Sequence, residues 1–166
     1  MRLLNKQLGA WLIAAVITSP PLCGFAAQPG SVSSTSEGLG EIYKQYGASQ
    51  AVRSGNLLFV GGIVAMADDG STVAPHDGVK QAEVIYKYIR TLLEKHGATA
   101  RNVVSETLYI KNYPEYWKGA PVRQKFYDEV GAAYPSTVGF EVVSLSAEDY
   151  VFEVHMIVDL SETGGN

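Results

Sequence analysis

Apolar residues recur along the chain in two rhythms, one of strands and one of helices. β-prone runs at Ser49–Val52 and Leu57–Val64 flank Ser54-Gly55-Asn56, and Gly55-Asn56 between such runs predicts a hairpin. Gly61 and Gly62 interrupt the second run, which predicts a bulge or a close approach of another backbone. From Gly78 to His96 the residues Val79, Ala82, Ile85 or Tyr86, Ile89, Leu92 and Leu93 fall three and four apart, the apolar stripe of a helix. Asp77 stands before it as N-cap and Gly97 after it as its stop. Asn102–Lys111 alternates as a strand, with Val104, Glu106, Leu108 and Ile110 on one side. Pro114 opens a short helical turn, and Pro121 a longer helix through Val130, closed by Gly131. Thr137–Leu145 and Tyr150–Leu160 read as two more strands joined by Ser146-Ala147-Glu148-Asp149.

The resulting order is ββαβαββ. It predicts an α+β fold, a mixed β-sheet with two helices on one face. In the last strand Phe152, Val154, Met156 and Val158 lie on one side and Val151 and Ile157 on the other. A strand apolar on both sides is buried on both. Helices cover only one face, so a second copy of the chain is expected on the other, making the protein a homo-oligomer.

The first 27 residues alter the arithmetic of the rest. Arg2 and Lys6 precede Leu8–Thr18, an apolar run without a charge. Pro20-Pro21 breaks the run, and the small residues Gly24, Ala26 and Ala27 follow. This is the order of a secretory signal peptide, and the run is about half the roughly 20 residues that a membrane-spanning helix needs. A retained N-terminal anchor is the alternative. Cleavage after Ala27, or after Ala26, removes the single cysteine, Cys23, and with it any thiol nucleophile or disulfide. The full chain has 166 residues and net charge −4; cleavage after Ala27 leaves 139 residues with 11 basic against 17 acidic, a net −6. An acidic chain without a Lys/Arg run argues against nucleic acid as partner and, after signal cleavage, against a membrane surface. The expected location is periplasmic or secreted. Residues 28–45 begin with a Gly/Ser/Pro-rich stretch and read as a flexible lead-in, 46–160 as one domain, and 161–166 as a tail.

Four segments, in this order and spacing, carry a family likeness: Ser49–Gly62 (SQAVRSGNLLFVGG), Gly97–Val104 (GATARNVV), Ser136–Gly139 (STVG) and Phe152–His155 (FEVH). Together they resemble the Rid family of reactive intermediate deaminases, also called the YjgF family, over about residues 46–160. The resemblance implies a chorismate-mutase-like fold, a homotrimer whose sheets face a central barrel, and small-molecule sites in the clefts between subunits. It also implies hydrolysis of 2-imino or 2-enamino acids to 2-keto acids and ammonia, with no metal and no organic cofactor.

The site residues follow position by position. The family's acid on the last strand corresponds to Glu153, which would orient water onto the imine carbon. Its bland alternative is an ion-paired strand residue. Gly62, Ser136 and Thr137 fall at ligand-lining positions of the likeness. The family's arginine, which grips the substrate carboxylate as a planar fork, precedes the Ser-Thr pair; here Pro135 stands before Ser136-Thr137, so either Pro135 occupies its place or two residues are deleted. The family's tyrosine before the Ser-Gln pair is replaced by Ala48. Arg123, in the second helix, is the candidate substitute cation, against the reading of a solvated helical arginine. His155 shares a strand face with Glu153 and is a candidate for acid/base work, against the reading of a hydrogen-bonded interface residue. Tyr113, Tyr116 and Trp117 either wall a cleft or pack. His76, His96 and His155 show no metal-ligand spacing.

Three functions compete. The first is hydrolysis of a small imine or enamine, with the substrate altered by the missing arginine. The second is a non-catalytic periplasmic trimer that binds a small molecule in the same clefts. The third, RNA cleavage, is least compatible with export and acidic charge. The first two differ over whether a cation and an acid converge on one cleft.

Overall fold

The computed structural model describes residues 39–161. The expected signal peptide, residues 28–38 of the lead-in and the last five residues of the tail lie outside the described residues. A short helix α1 (Leu39–Gln45) falls where the lead-in was expected to continue. The hairpin β1 (Ala51–Ser54) and β2 (Leu57–Ile63) turns at Gly55, whose φ of 60° is open to glycine without strain. Helix α2 (Gly78–Lys95) follows, then a 3-10 turn (Ala100–Asn102), β3 (Val103–Ile110), α3 (Tyr113–Asp128), β4 (Ser136–Glu141) and β5 (Phe152–Asp159). The five strands form one sheet in the order β1-β2-β5-β3-β4. Only β3 and β4 run parallel, and β2 and β3 each pair antiparallel with β5. The expected ββαβαββ order and mixed sheet are observed, with α1 added in front.

Both ends of α2 are set as its sequence prescribes. The Asp77 carboxylate accepts from the Lys80 backbone N–H, and Gly97, at φ 70°, turns the chain out of the helix. Its stripe Ala82, Ile85, Tyr86, Ile89, Leu92 and Leu93 is buried. With Leu58, Val60, Leu108, Ile110, Val154, Met156 and Val158 of the sheet it makes the core. Burying such side chains is worth roughly 1.5–3 kcal/mol each.

Three expectations need correcting. The two helical pieces expected at Pro114 and Pro121 are one helix, with Pro121 inside it. A proline there deletes a backbone donor and costs about 3 kcal/mol. Burial of Tyr116, Phe126 and Tyr127 on either side of it offsets more than that. The helices also cross tightly at two glycines. A Cβ on Gly78 would overlap the Glu115 carbonyl, and one on Gly119 would overlap the Gly78 carbonyl.

The second correction concerns β4, which stops at Glu141 rather than Leu145. Val142 still donates to the Ile110 carbonyl, but Val143 stands in solvent.

The third concerns the outer face of β5, which is mostly polar. Glu153, His155, Ile157 and Asp159 point there, while Val151 precedes the strand and is buried. The apolar area of that face comes instead from neighbouring strands. Phe59, Val138 and Phe140 are each about half exposed, and Phe140 stacks on Tyr109 with ring centroids 6.1 Å apart. A similar shift affects β3: a register irregularity between Val103 and Ser105 buries Val103 and exposes Val104.

Candidate functional site

Glu153, His155 and Gly62 come together. The bulge expected at Gly61-Gly62 is present as a register shift between Val60 and Ile63, opposite β5. Alternation along β5 points Glu153 and His155 to the same side, and Glu153 Oε1 lies 2.7 Å from His155 Nε2. A Cβ on Gly62 would overlap the Glu153 carboxylate and come within 3.1 Å of His155 Nε2, so the missing side chain is what admits the pair. His155 also packs edge-on to Tyr109, its centroid 5.0 Å away, and faces the open outer surface of the sheet.

Beside Glu153 opens a cavity of about 370 Å³. Tyr43 and Tyr46 from the α1 end, Gly62 from the bulge, Met66 and Tyr150 from loops, and Glu153 line it. The Tyr43 hydroxyl donates to the Gly62 carbonyl. Burial, and then the neighbouring Glu153 charge, push that hydroxyl well above the ordinary tyrosine range, so it remains a donor. Burial likewise raises Tyr150.

Arg123 and Thr137 lie elsewhere, on the helix side of the sheet. Here a second cavity of about 320 Å³ runs between α3 and β4, walled by Tyr113, Tyr116, Trp117, Arg123, Thr137 and Gly139. Arg123 Nε donates to Glu106 Oε2 at 2.5 Å, and its terminal nitrogen donates to Thr137 Oγ1 at 2.8 Å. Its guanidinium also sits 5.2 Å over the Tyr127 ring. Glu106 is completely buried and takes a further hydrogen bond from the Tyr86 hydroxyl at 2.8 Å. Burial opposes the Arg123 charge, but Glu106, with Tyr86 and Tyr127 adding to it, holds the guanidinium above its ordinary value. Burial and then Glu106 push Tyr86 far up, so it too stays a donor.

Within one protomer, then, the candidate cation and the candidate acid do not converge; they occupy opposite faces of the sheet. Ser136 opens β4 opposite Ser105 and takes part in neither cavity. Tyr113, Tyr116 and Trp117 pack on one another with centroids 5.3–6.5 Å apart and wall the second cavity as well. His76 pairs with Asp149 at 3.0 Å and lines neither cavity. Among the described residues, no three His, Cys, Asp or Glu side chains gather as a metal site. Nor, among them, is any helix long and apolar enough to cross a membrane.

Two important residues were not singled out from sequence. Glu106 had a signal: it is the one carboxylate on the apolar side of an alternating strand. Tyr43 had none, since it falls in the segment expected to lead in without structure.

Comparison with known proteins gives this geometry a lineage. Residues 41–160 match the family model described as Endoribonuclease L-PSP. A RutC family protein of Pyrococcus abyssi is 28% identical over 109 residues, 66% of this chain and 83% of its own. Among solved structures, the Rid family protein YyfA of Yersinia pestis, described as of unknown function, superposes with TM-score 0.61 at 24% identity, covering 67% of this chain and 86% of that one. TdcF of E. coli, solved with bound serine, superposes with TM-score 0.61 at 23% identity, covering 68% and 87%. The fold is shared with these structures, the family model spans most of the described residues, and the chain belongs to the Rid/YjgF family.

Proposed function

We propose that the chain is an exported Rid-type hydrolase that cleaves the C=N bond of a small metabolite, with Glu153 orienting the attacking water. The observation that carries this reading is the Glu153–His155 pair at 2.7 Å, set against Gly62 at the edge of an open cavity. A carboxylate held by an imidazole and partly exposed is suited to orienting or deprotonating water. The substrate differs from an imino acid, because no arginine precedes Ser136-Thr137 where the family has its carboxylate-gripping one and Arg123 is committed to Glu106.

The functional unit is a homotrimer, and the working cleft lies between protomers. The half-exposed Phe59, Val138 and Phe140 on the helix-free face of the sheet support such an assembly. RNA cleavage, suggested by the family's description, finds no support in an acidic chain. The second reading, a non-catalytic trimer that binds a small molecule, is favoured by the engagement of Arg123 away from Glu153.

The test is ammonia release from freshly generated imines, with and without a carboxylate, comparing the wild type with Glu153→Ala. Hydrolysis of at least one imine above background, abolished by Glu153→Ala, is expected. Background rates for every imine would leave binding as the function. Sedimentation of the same preparation at protomer mass would overturn the trimer.

A further inference from the structure

The aromatic wall of α3 is anchored at one end and open at the other. Tyr116 is 6% exposed and packs edge-on to Phe152 with centroids 5.3 Å apart, while Trp117, next in the chain, is 63% exposed. The planes of Tyr113, Tyr116 and Trp117 meet at 34°, 63° and 83°, a bent wall rather than a closed stack. With Arg123, Thr137 and Gly139 this wall bounds the cavity of about 320 Å³ between α3 and β4, within the range of small-ligand pockets. Alternation puts Gly139 on the same side of β4 as Thr137, and a Cβ there would already touch the Tyr113 hydroxyl and Ile110 at 3.5 Å. The polar side of the cavity is a fixed donor. Arg123 gives Nε to Glu106 and a terminal nitrogen to Thr137, and a guanidinium carries more N–H groups than those two bonds use. Its charge is balanced by the buried Glu106, so what it offers a ligand is hydrogen bonds from a planar fork held in place. Flat aromatic faces beside such a donor match a ring that carries a hydrogen-bond acceptor.

We propose that the α3–β4 cavity binds a planar aromatic compound bearing a carbonyl acceptor, its ring against Trp117 and Tyr113 and its carbonyl on Arg123. The site goes beyond the hydrolytic reading and is built from residues other than Glu153 and His155. Every group it uses is one that this chain presents, and a neighbouring chain that filled the cavity would abolish binding outright.

Calorimetric titration of the purified protein, in the oligomeric state it adopts, tests the inference with benzamide as probe. Benzamide is expected to bind, its saturated counterpart cyclohexanecarboxamide roughly fivefold more weakly for want of a flat ring. Toluene, which has the ring without the acceptor, should bind about tenfold more weakly. Trp117→Ala, at an exposed position that does not threaten folding, should weaken benzamide roughly fivefold, and Trp117→Phe should keep most of the affinity. Gly139→Val places a β-branched side chain on an exposed strand that suits it and aims that side chain into the cavity. It should remove benzamide binding while the urea midpoint stays where it was. No heat from benzamide overturns the proposal, and so does benzamide binding indifferent to both Trp117→Ala and Gly139→Val. Equal affinity for benzamide and cyclohexanecarboxamide overturns it as well. The two readings fail separately. Benzamide binding without hydrolysis of any imine removes the hydrolase and keeps the aromatic site. Glu153-dependent hydrolysis without benzamide binding does the reverse.

Discussion

Two acid–base pairs sit on opposite faces of one sheet, at nearly the same distance and in different surroundings. Glu106 and Arg123 are 2.5 Å apart with side chains 0% and 15% exposed; Glu153 and His155 are 2.7 Å apart at 22% and 41%. The first pair is braced by Tyr86, which donates to the second oxygen of Glu106, and by Thr137, which accepts from a terminal nitrogen of Arg123. The second keeps an open cavity on one side. Contact distance does not separate structural charge from functional charge here. Burial does: a pair buried and braced by its neighbours holds the fold, and one left more exposed can bring its charge to a ligand.

The largest effect belongs to the buried pair. Arg123→Met leaves Glu106 without its counter-charge and should lower stability by about 3–5 kcal/mol in urea unfolding, most of it recovered when Glu106→Gln is added. The matching change on the other face, Glu153→Ala, should cost under about 1 kcal/mol. Similar losses for the two would break the contrast.

Gly62→Ala sharpens it from the other side. The new methyl must displace the Glu153 carboxylate, a flexible side-chain end, so stability should hardly move. Misplacement on the scale of 1 Å should lower turnover by about 10²-fold, measured as ammonia release on whichever imine the wild type accepts. Unchanged turnover would mean that the position of Glu153 does not matter.

The smallest effect is expected at the Asp77 cap, which lies in neither pair. Its carboxyl is held below the ordinary aspartate range, first by the Lys80 backbone N–H that it accepts. A folded-state pKa below the unfolded one stabilises above the unfolded value, and that contribution is lost as pH falls through the folded value. Asp77→Ala should therefore lower the denaturation midpoint near neutral pH, with the gap to wild type closing in acid. A gap that stays constant with pH would show that the cap works by geometry without its charge.

Much of the fold was legible because its determinants are local. The Gly55-Asn56 turn, the Gly61-Gly62 interruption and the capped stripe of α2 each declare themselves within a few residues. What was not legible depends on distant partners. Pro121 reads as a helix start until Tyr116, Phe126 and Tyr127 are seen to be buried together. Arg123 reads as solvated until α3 is laid across β3, which brings it to Glu106, 17 residues earlier. The acid and its imidazole neighbour were legible because a strand's alternation puts Glu153 and His155 on one side. The tyrosines around them come from three separate segments, and no spacing links those.

Helix α1 carries one wall of the Glu153 cavity on seven residues, too few for a helix to persist by itself in water. It is moored by buried Ile42 and by the Tyr43 hydroxyl on the bulge. A wall so short is expected to be the less stable part of the site, its amides exchanging through local detachment before the sheet opens. The shape of the cavity around the acid is thereby tied to a small piece of backbone whose hold on the sheet is separate from global unfolding.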